Sequence, residues 1–380
     1  MPGILARLLG RFLEIVNTEH GWELKNRNLL YIATLITSII GSQLVSGWFS
    51  PAFSSPLTEL SVTPPGTTTA NEYYRETPLL DLAERRYIRL SGGWEWQDGP
   101  TGEKNLAVSR YNDATIEGTF TGNWLELYAR LKGQSFDLQL DGNPASHLTM
   151  PDTGQYGYFR IINGPKRAQY KFRLRLTNRA GGSLEALTFR TNGRWKLTRF
   201  ATRPSLMGFG SSTMDFCGIE WGLAEAKGWE TLNRGIGGTT VTNQGQYRVE
   251  RDVLPFQPDV VLINYGSNDW YGKIPLDRFE AAYLNMLNQL AAGLPDTRFV
   301  VLGLFPRSGG DEVSRAQFNK AIQAAIVASP IKTRTQYVEV KGYDYKTDSL
   351  DGTHPNPQAV ATKFVPQLLP LLGNGTKPIS

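Results

Sequence analysis

The sequence predicts an α/β domain built on a parallel sheet, preceded by an antiparallel β-sandwich of jelly-roll type and by an apolar N-terminal helix that spans a membrane. Three observations carry this. From about Arg203 onward, apolar runs alternate with helical stretches. Between about Tyr73 and Gly193, short alternating segments are divided by Gly, Asn and Asp turns, with no long helical pattern. Ahead of both, residues 28–58 carry no charged side chain.

The apolar segment comes first. Residues 29–49 read LLYIATLITSIIGSQLVSGWF, about 30 Å of helix and so the thickness of a bilayer core. Arg7, Arg11, Lys25 and Arg27 precede it, and the next basic residue downstream is Arg75. That asymmetry places residues 1–28 in the cytoplasm and all that follows the segment outside. A cleaved signal peptide and a buried soluble helix are the rival readings. Glu14, Glu19 and Glu23 in the long leader are atypical of a signal peptide. Residues 50–72, rich in Pro, Ser and Thr, read as a semi-extended tether.

Residues 73–200 read as the sandwich domain. In KFRLRL, Phe172, Leu174 and Leu176 face one way and Lys171, Arg173 and Arg175 the other. Many such strands without helices make a sandwich. The basic row is a solvated strand face or a surface for an anionic glycan. Trp94, Trp96 and Trp124 pack in the core or stack on sugar rings, and His147 sits alone in a turn-like stretch.

Composition excludes several chemistries. A net charge of +5 on 380 residues is no concentrated basic face, so nucleic acid is not an expected partner. One cysteine, Cys217, forms neither an intramolecular disulfide nor a thiolate cluster, and three histidines are too few for a histidine-rich metal site. Neither a metal nor an organic cofactor is expected.

Residues 203–373 carry the chemistry. Five apolar runs (206–209, 231–232, 259–265, 298–304 and 336–340) alternate with helical stretches such as 276–294 and 314–328. A last helix follows Pro357 and ends near Leu372. Ligands of such sheets sit outside the carboxyl ends of the strands, and the informative residues lie there. After the first run, Gly210-Ser-Ser-Thr213 opens a helix and exposes a serine hydroxyl. After the second, Asn233-Arg-Gly-Ile-Gly-Gly-Thr239 can aim backbone N–H groups at a ligand. After the third, Gly266-Ser-Asn-Asp269 brings an amide to the sheet edge. After the fifth comes Asp351-Gly-Thr-His354. His354 is the only histidine in this half, hence the only base for a serine nucleophile, and Asp351 can fix its tautomer.

These four segments resemble the blocks of the SGNH (GDSL-like) hydrolases over about residues 204–372. The serine is Ser212, the asparagine Asn268 and the histidine His354. The glycine is Gly238, or Gly237 with a one-residue shift. Asp351 matches the family's D-x-x-H aspartate. Block one usually reads Gly-Asp-Ser, whereas Ser211 stands here for the aspartate, and the G-x-S spacing selects Ser212 over Ser211. The resemblance implies a three-layer α/β/α fold and a serine esterase. Ser212 attacks an ester carbonyl, His354 takes its proton, and the N–H groups of Ser212 and Gly238 and the Asn268 amide hold the oxyanion.

The two-domain layout resembles the acetyl-polysaccharide esterases of carbohydrate esterase family two, with Gly92-Gly-Trp94 and Thr119-Phe-Thr-Gly122 adding to it. The expectation is a membrane-anchored, extracytoplasmic deacetylase of cell-surface or exported polysaccharide. Trp270 and Tyr271 are candidate sugar platforms or rim packing. A polysaccharide O-acetyltransferase, a lipid-directed esterase and a non-catalytic glycan-binding protein are the alternatives.

Overall fold

The computed structural model describes residues 74–373, except 100, 101, 103, 179–181, 199 and 201. The expected membrane-spanning segment at residues 29–49 and the tether at residues 50–72 lie outside the described residues. Among the described residues no helix is long and apolar enough to cross a membrane.

Residues 75–195 hold ten antiparallel strands: β1 (Arg75–Pro78), β2 (Ile88–Ser91), β3 (Trp94–Gln97), β4 (Leu106–Ser109), β5 (Thr115–Lys132), β6 (Ser135–Leu140), β7 (Ser146–Thr149), β8 (Asp152–Asn178), β9 (Leu184–Thr191) and β10 (Arg194–Trp195). Their order is β3-β4-β9-β5-β8-β6-β7, with β1 on β9 and both β2 and β10 on β5. The sequence led us to expect two packed sheets, and the strands instead form one continuous sheet that bends. The cause lies in β5, which pairs with β8 from Thr115↔Arg175 to Lys132↔Asp152 but breaks register between Gly122 and Trp124. Before the break its other neighbours are β2 and then β10, and after it β9. A bulge bends and twists a strand. Here the bend lets one sheet close on a single core that includes Phe120, Leu125, Leu127, Phe136, Phe159, Phe172 and Phe189. Trp124 is buried, Trp94 donates to the Ser91 and Thr115 carbonyls (3.0 and 3.1 Å), and Trp96 is exposed. His147 pairs with Asp137 (3.1 Å) across β6 and β7, and the same carboxylate holds Arg175.

The second region is a five-stranded parallel sheet: β11 (Ser205–Gly210), β12 (Glu230–Gly235), β13 (Val260–Asn264), β14 (Arg298–Leu302) and β15 (Thr335–Val338), in the order β12-β11-β13-β14-β15. Strand periodicity divides its side chains between two cores. Met207, Phe209, Val261, Ile263, Phe299 and Val301 pack with the helices Leu276–Gly293 and Glu312–Ala328. Leu206, Val260, Leu262, Val300 and Leu302 pack with the helix Ile219–Lys227 and the C-terminal helical turns of residues 357–372. The result is helix, sheet, helix. The chain leaves β11 for β12 on one side and returns to β13 on the other, so the strand order reverses at the carboxyl end of β11. That crevice is where open α/β sheets bind ligands.

The two regions form one compact unit. Arg175 and Arg173 lie over the Trp221 ring (3.9 and 4.6 Å), Arg89 pairs with Glu230 (3.1 Å), and Arg234 donates to the Gly92 carbonyl (3.4 Å). At Gly93 a side chain would collide with the Arg234 guanidinium, at 2.5 Å.

Candidate active site

The first loop turns at the end of β11. A Cβ on Gly210 would sit 2.4 Å from the Asn264 carbonyl oxygen, so only glycine lets the chain pass. Ser211 follows, 1% exposed, its hydroxyl buried and without a partner among the described residues. Ser212 begins the short helix Ser212–Phe216 and is partly exposed. The two adjacent serines, hard to separate in the sequence, thus have opposite fates.

His354 Nε2 lies 2.8 Å from Ser212 Oγ, and His354 Nδ1 lies 2.7 Å from Asp351 Oδ2. A carboxylate on Nδ1 keeps the ring proton there and leaves Nε2 free to accept from the serine hydroxyl. Asp351 Oδ1 accepts the backbone N–H groups of Thr353 and His354, both at 2.9 Å, so the loop is wound around its own carboxylate. Burial opposes ionisation of Asp351. The hydrogen bonds from the His354 ring and from these two N–H groups outweigh it and hold the carboxyl below the usual carboxylate range.

Two further loops carry the remaining candidates. The Gly237 N–H donates to Asp215 Oδ2 (2.9 Å), whereas no hydrogen bond among the described residues engages the Gly238 N–H. That separates the two glycines, and Gly238, at φ +77°, has the free donor. Asn268 gives one amide hydrogen to the Thr239 carbonyl (2.9 Å), which keeps the other available and ties its loop to that of Gly238. Asp269, fully buried, accepts from Val241 N (3.0 Å), Thr242 N (3.1 Å) and the Thr242 hydroxyl. Burial pushes its carboxyl up despite these bonds.

One candidate needs correction. Trp270 is no sugar platform. It is 4% exposed, with its ring so close to Gly310 that a Cβ there would overlap it at 2.3 Å. Tyr271 is 58% exposed, but the Arg307 guanidinium covers its ring at 4.3 Å.

The structure adds residues that sequence reasoning missed. Phe216, half exposed, meets the His354 ring edge-on at 4.6 Å. Its position four residues after Ser212, on the same helix face, was the available signal. Asn233 donates to the Met214 and Asp215 carbonyls (2.6 and 3.2 Å) and to Glu220 Oε1 (2.6 Å). Asn112 arrives from the antiparallel region and donates to the Asp215 carbonyl (2.8 Å). It lies 103 residues away along the chain, and no local pattern marks it.

The family model for GDSL-like lipases and acylhydrolases matches residues 208–361, which include Ser212, Gly238, Asn268, Asp351 and His354. A comparison with curated proteins finds no match. Among solved structures, a family two carbohydrate esterase from Cellvibrio japonicus superposes with a TM-score of 0.65 at 13% identity, covering 79% of this chain and 98% of that one. A family two carbohydrate esterase from Clostridium thermocellum, in complex with cellohexaose, gives 0.61 at 17% identity, covering 75% and 99%. Salicylyl-acyltransferase SsfX3 from a tetracycline biosynthetic pathway gives 0.62 at 12%, covering 80% and 99%. Such coverage takes in both the antiparallel and the α/β regions, so the likeness of fold extends beyond the matched segment. Over residues 208–361, this chain carries a domain of the GDSL-like lipase/acylhydrolase family.

Proposed function

We propose that the protein is a serine esterase that removes O-acetyl groups from a polysaccharide through an acyl-enzyme. The observation that carries this is the line of contacts Asp351–His354–Ser212, at 2.7 and 2.8 Å.

Ser212 Oγ attacks the ester carbonyl while its proton passes to His354 Nε2. The carbonyl oxygen becomes an oxyanion facing the N–H groups of Ser212 and Gly238 and the second amide hydrogen of Asn268. Asp351 stabilises the imidazolium. Collapse breaks the bond to the sugar oxygen, which leaves with the proton from His354. Water then repeats the sequence, giving its proton to His354, and acetate departs as Ser212 regains a proton.

The acetylated-carbohydrate part of the reading draws support from the family two carbohydrate esterases that share the fold. A second reading, acyl transfer to a hydroxyl in place of water, draws support from the acyltransferase of similar fold. In the proposal, residues 73–200 and 203–373 act as two domains. Residues 29–49 hold them outside the cytoplasmic membrane, on the strength of the uncharged stretch and the basic residues before it. The test is incubation of full-length protein with acetylated polysaccharide. Free acetate from the wild type and none from Ser212→Ala supports the esterase; acetylated acceptor without acetate supports the transferase; neither product ends the acetyl-glycan reading.

A further inference from the structure

Arg307 stands between the loop of Asn268 and the loop of His354 in an unusual condition. Several other half-buried or buried arginines have carboxylates: Arg160 and Arg190 share Glu126, Arg248 holds Asp252, and Arg175 holds Asp113 and Asp137, while half-buried Arg334 has two close carbonyls, Leu294 and Thr297 (2.7 and 2.6 Å). Arg234 is fully buried without an ion pair, but donates to the Asp252, Asn233 and Gly92 carbonyls. Among the described residues no carboxylate comes within 4.0 Å of Arg307. Its one hydrogen bond there is a long one, from Nη1 to Ser267 Oγ (3.3 Å), and its Nε is buried with no partner. The field of Asp351 reaches it, but that carboxylate is already bound to His354.

Its placement is fixed from two sides. Ser267 immediately precedes Asn268, and Tyr271, whose ring the guanidinium covers, ends the same helix. On the other side, Ser308 N donates to the Gly352 carbonyl (2.7 Å), one residue from Asp351 and two from His354. Arg307 therefore bridges the loop that holds the oxyanion amide and the loop that holds the base. A partly desolvated cation without a counter-ion gains when an anion arrives, and a guanidinium offers a planar edge that fits a carboxylate.

We propose that Arg307 is a substrate-recognition residue that selects esters carrying a carboxylate close to the acyl group, as in an acetylated glycan containing uronic acid. This rests on the esterase reading for the position of the ester, whereas the guanidinium's own placement does not depend on it. The contrast with the basic row of β8 is instructive. Arg173 and Arg175 there are spent on Glu117, Glu225, Asp113 and Asp137, so these two arginines lack the open guanidinium that Arg307 has.

The test is calorimetric titration of full-length Ser212→Ala protein, which cannot turn over, with partly acetylated oligogalacturonate and with acetylated xylo-oligosaccharide of equal length. The charged ligand binds about tenfold more tightly, and Arg307→Gln removes that advantage. Arg307→Lys keeps part of it, and high salt shrinks it. In the Ser212 background, Arg307→Gln lowers the kcat/KM ratio of charged over neutral substrate by a similar factor. Equal affinity for the two ligands, or equal weakening of both by Arg307→Gln, overturns the proposal. Failure of Ser212→Ala to abolish acetate release overturns the esterase reading instead, and the binding comparison still decides the role of Arg307.

Discussion

The two regions of this molecule are built on opposite principles, and they reveal their roles differently. In the α/β region each side chain of the site stands on a loop just beyond a strand, because parallel strands bring all such loops to one edge. In the antiparallel region no strand end is chemically marked. Its part in the site passes through one turn, Asn112-Asp113, pressed against the back of the helix that starts at Ser212. Asn112 donates to the Asp215 carbonyl, and the Asp215 carboxylate in turn holds Gly237, next to the free N–H of Gly238. In the proposed mechanism one region supplies the reacting groups, and the other braces them. A motif scan sees only the first.

The largest effect falls on the reacting groups. Ser212→Ala reduces kcat about 10⁶-fold with the thermal midpoint unchanged; substantial residual turnover, or rescue by Ser211, would erase the distinction between the regions. Asn268→Ala comes next, with kcat reduced about 10²–10³-fold and KM little changed, measured on an activated acetate ester. Asn233 still reaches the Asp215 carbonyl, so Asn112→Ala has a smaller effect, a three- to tenfold fall in kcat at constant KM. A drop in stability with no change in kcat would make the antiparallel region a passive partner.

The smallest effect concerns the carboxyl pair at the seam. Asp113 is held by Arg175 (3.0 Å) and Glu220 by Asn233 (2.6 Å), and Glu220 Oε2 is buried with no hydrogen-bond partner among the described residues. Burial first, and then the nearby Asp113, raises Glu220 well above the usual carboxylate range; burial also raises Asp113. The folded protein thus keeps a proton that the unfolded chain releases once pH exceeds the ordinary carboxylate value of 4.5. Stability from this group is complete below that value and declines as pH rises toward the folded pKa, by at most about 1.4 kcal/mol per pH unit. Glu220→Gln flattens that slope in denaturant melts from about pH 5 upward. An unchanged slope would mean that the pair is not protonated.

Much of the α/β region was legible in the sequence. Five apolar runs gave the five strands, and Ser212, Asn268, Asp351 and His354 follow them at the predicted places. What failed, or rested on a single residue of spacing, depended on distances that a sequence does not contain. Ser211 and Ser212 differ by one residue, and only the turn at Gly210 buries one and exposes the other. Gly238 was the reading, with Gly237 one residue away, and the bond from Gly237 N–H to Asp215 sets the two apart. Trp270, beside a site loop, looked like a platform, yet the bare Gly310 opposite draws it into the core. The antiparallel strands were legible through their alternation, but the bend of β5 at Gly122 was not. Asn112 and Arg307 act through partners remote in the chain, and neither neighbourhood carries a pattern.

Peptide mass spectrometry of full-length protein after exposure to a fluorophosphonate tests most directly the claim that Ser212 is the group that takes the acyl. The account predicts a single adduct, on Ser212, which His354→Ala suppresses. An adduct on Ser211, or an unlabelled Ser212 in folded protein, would contradict it.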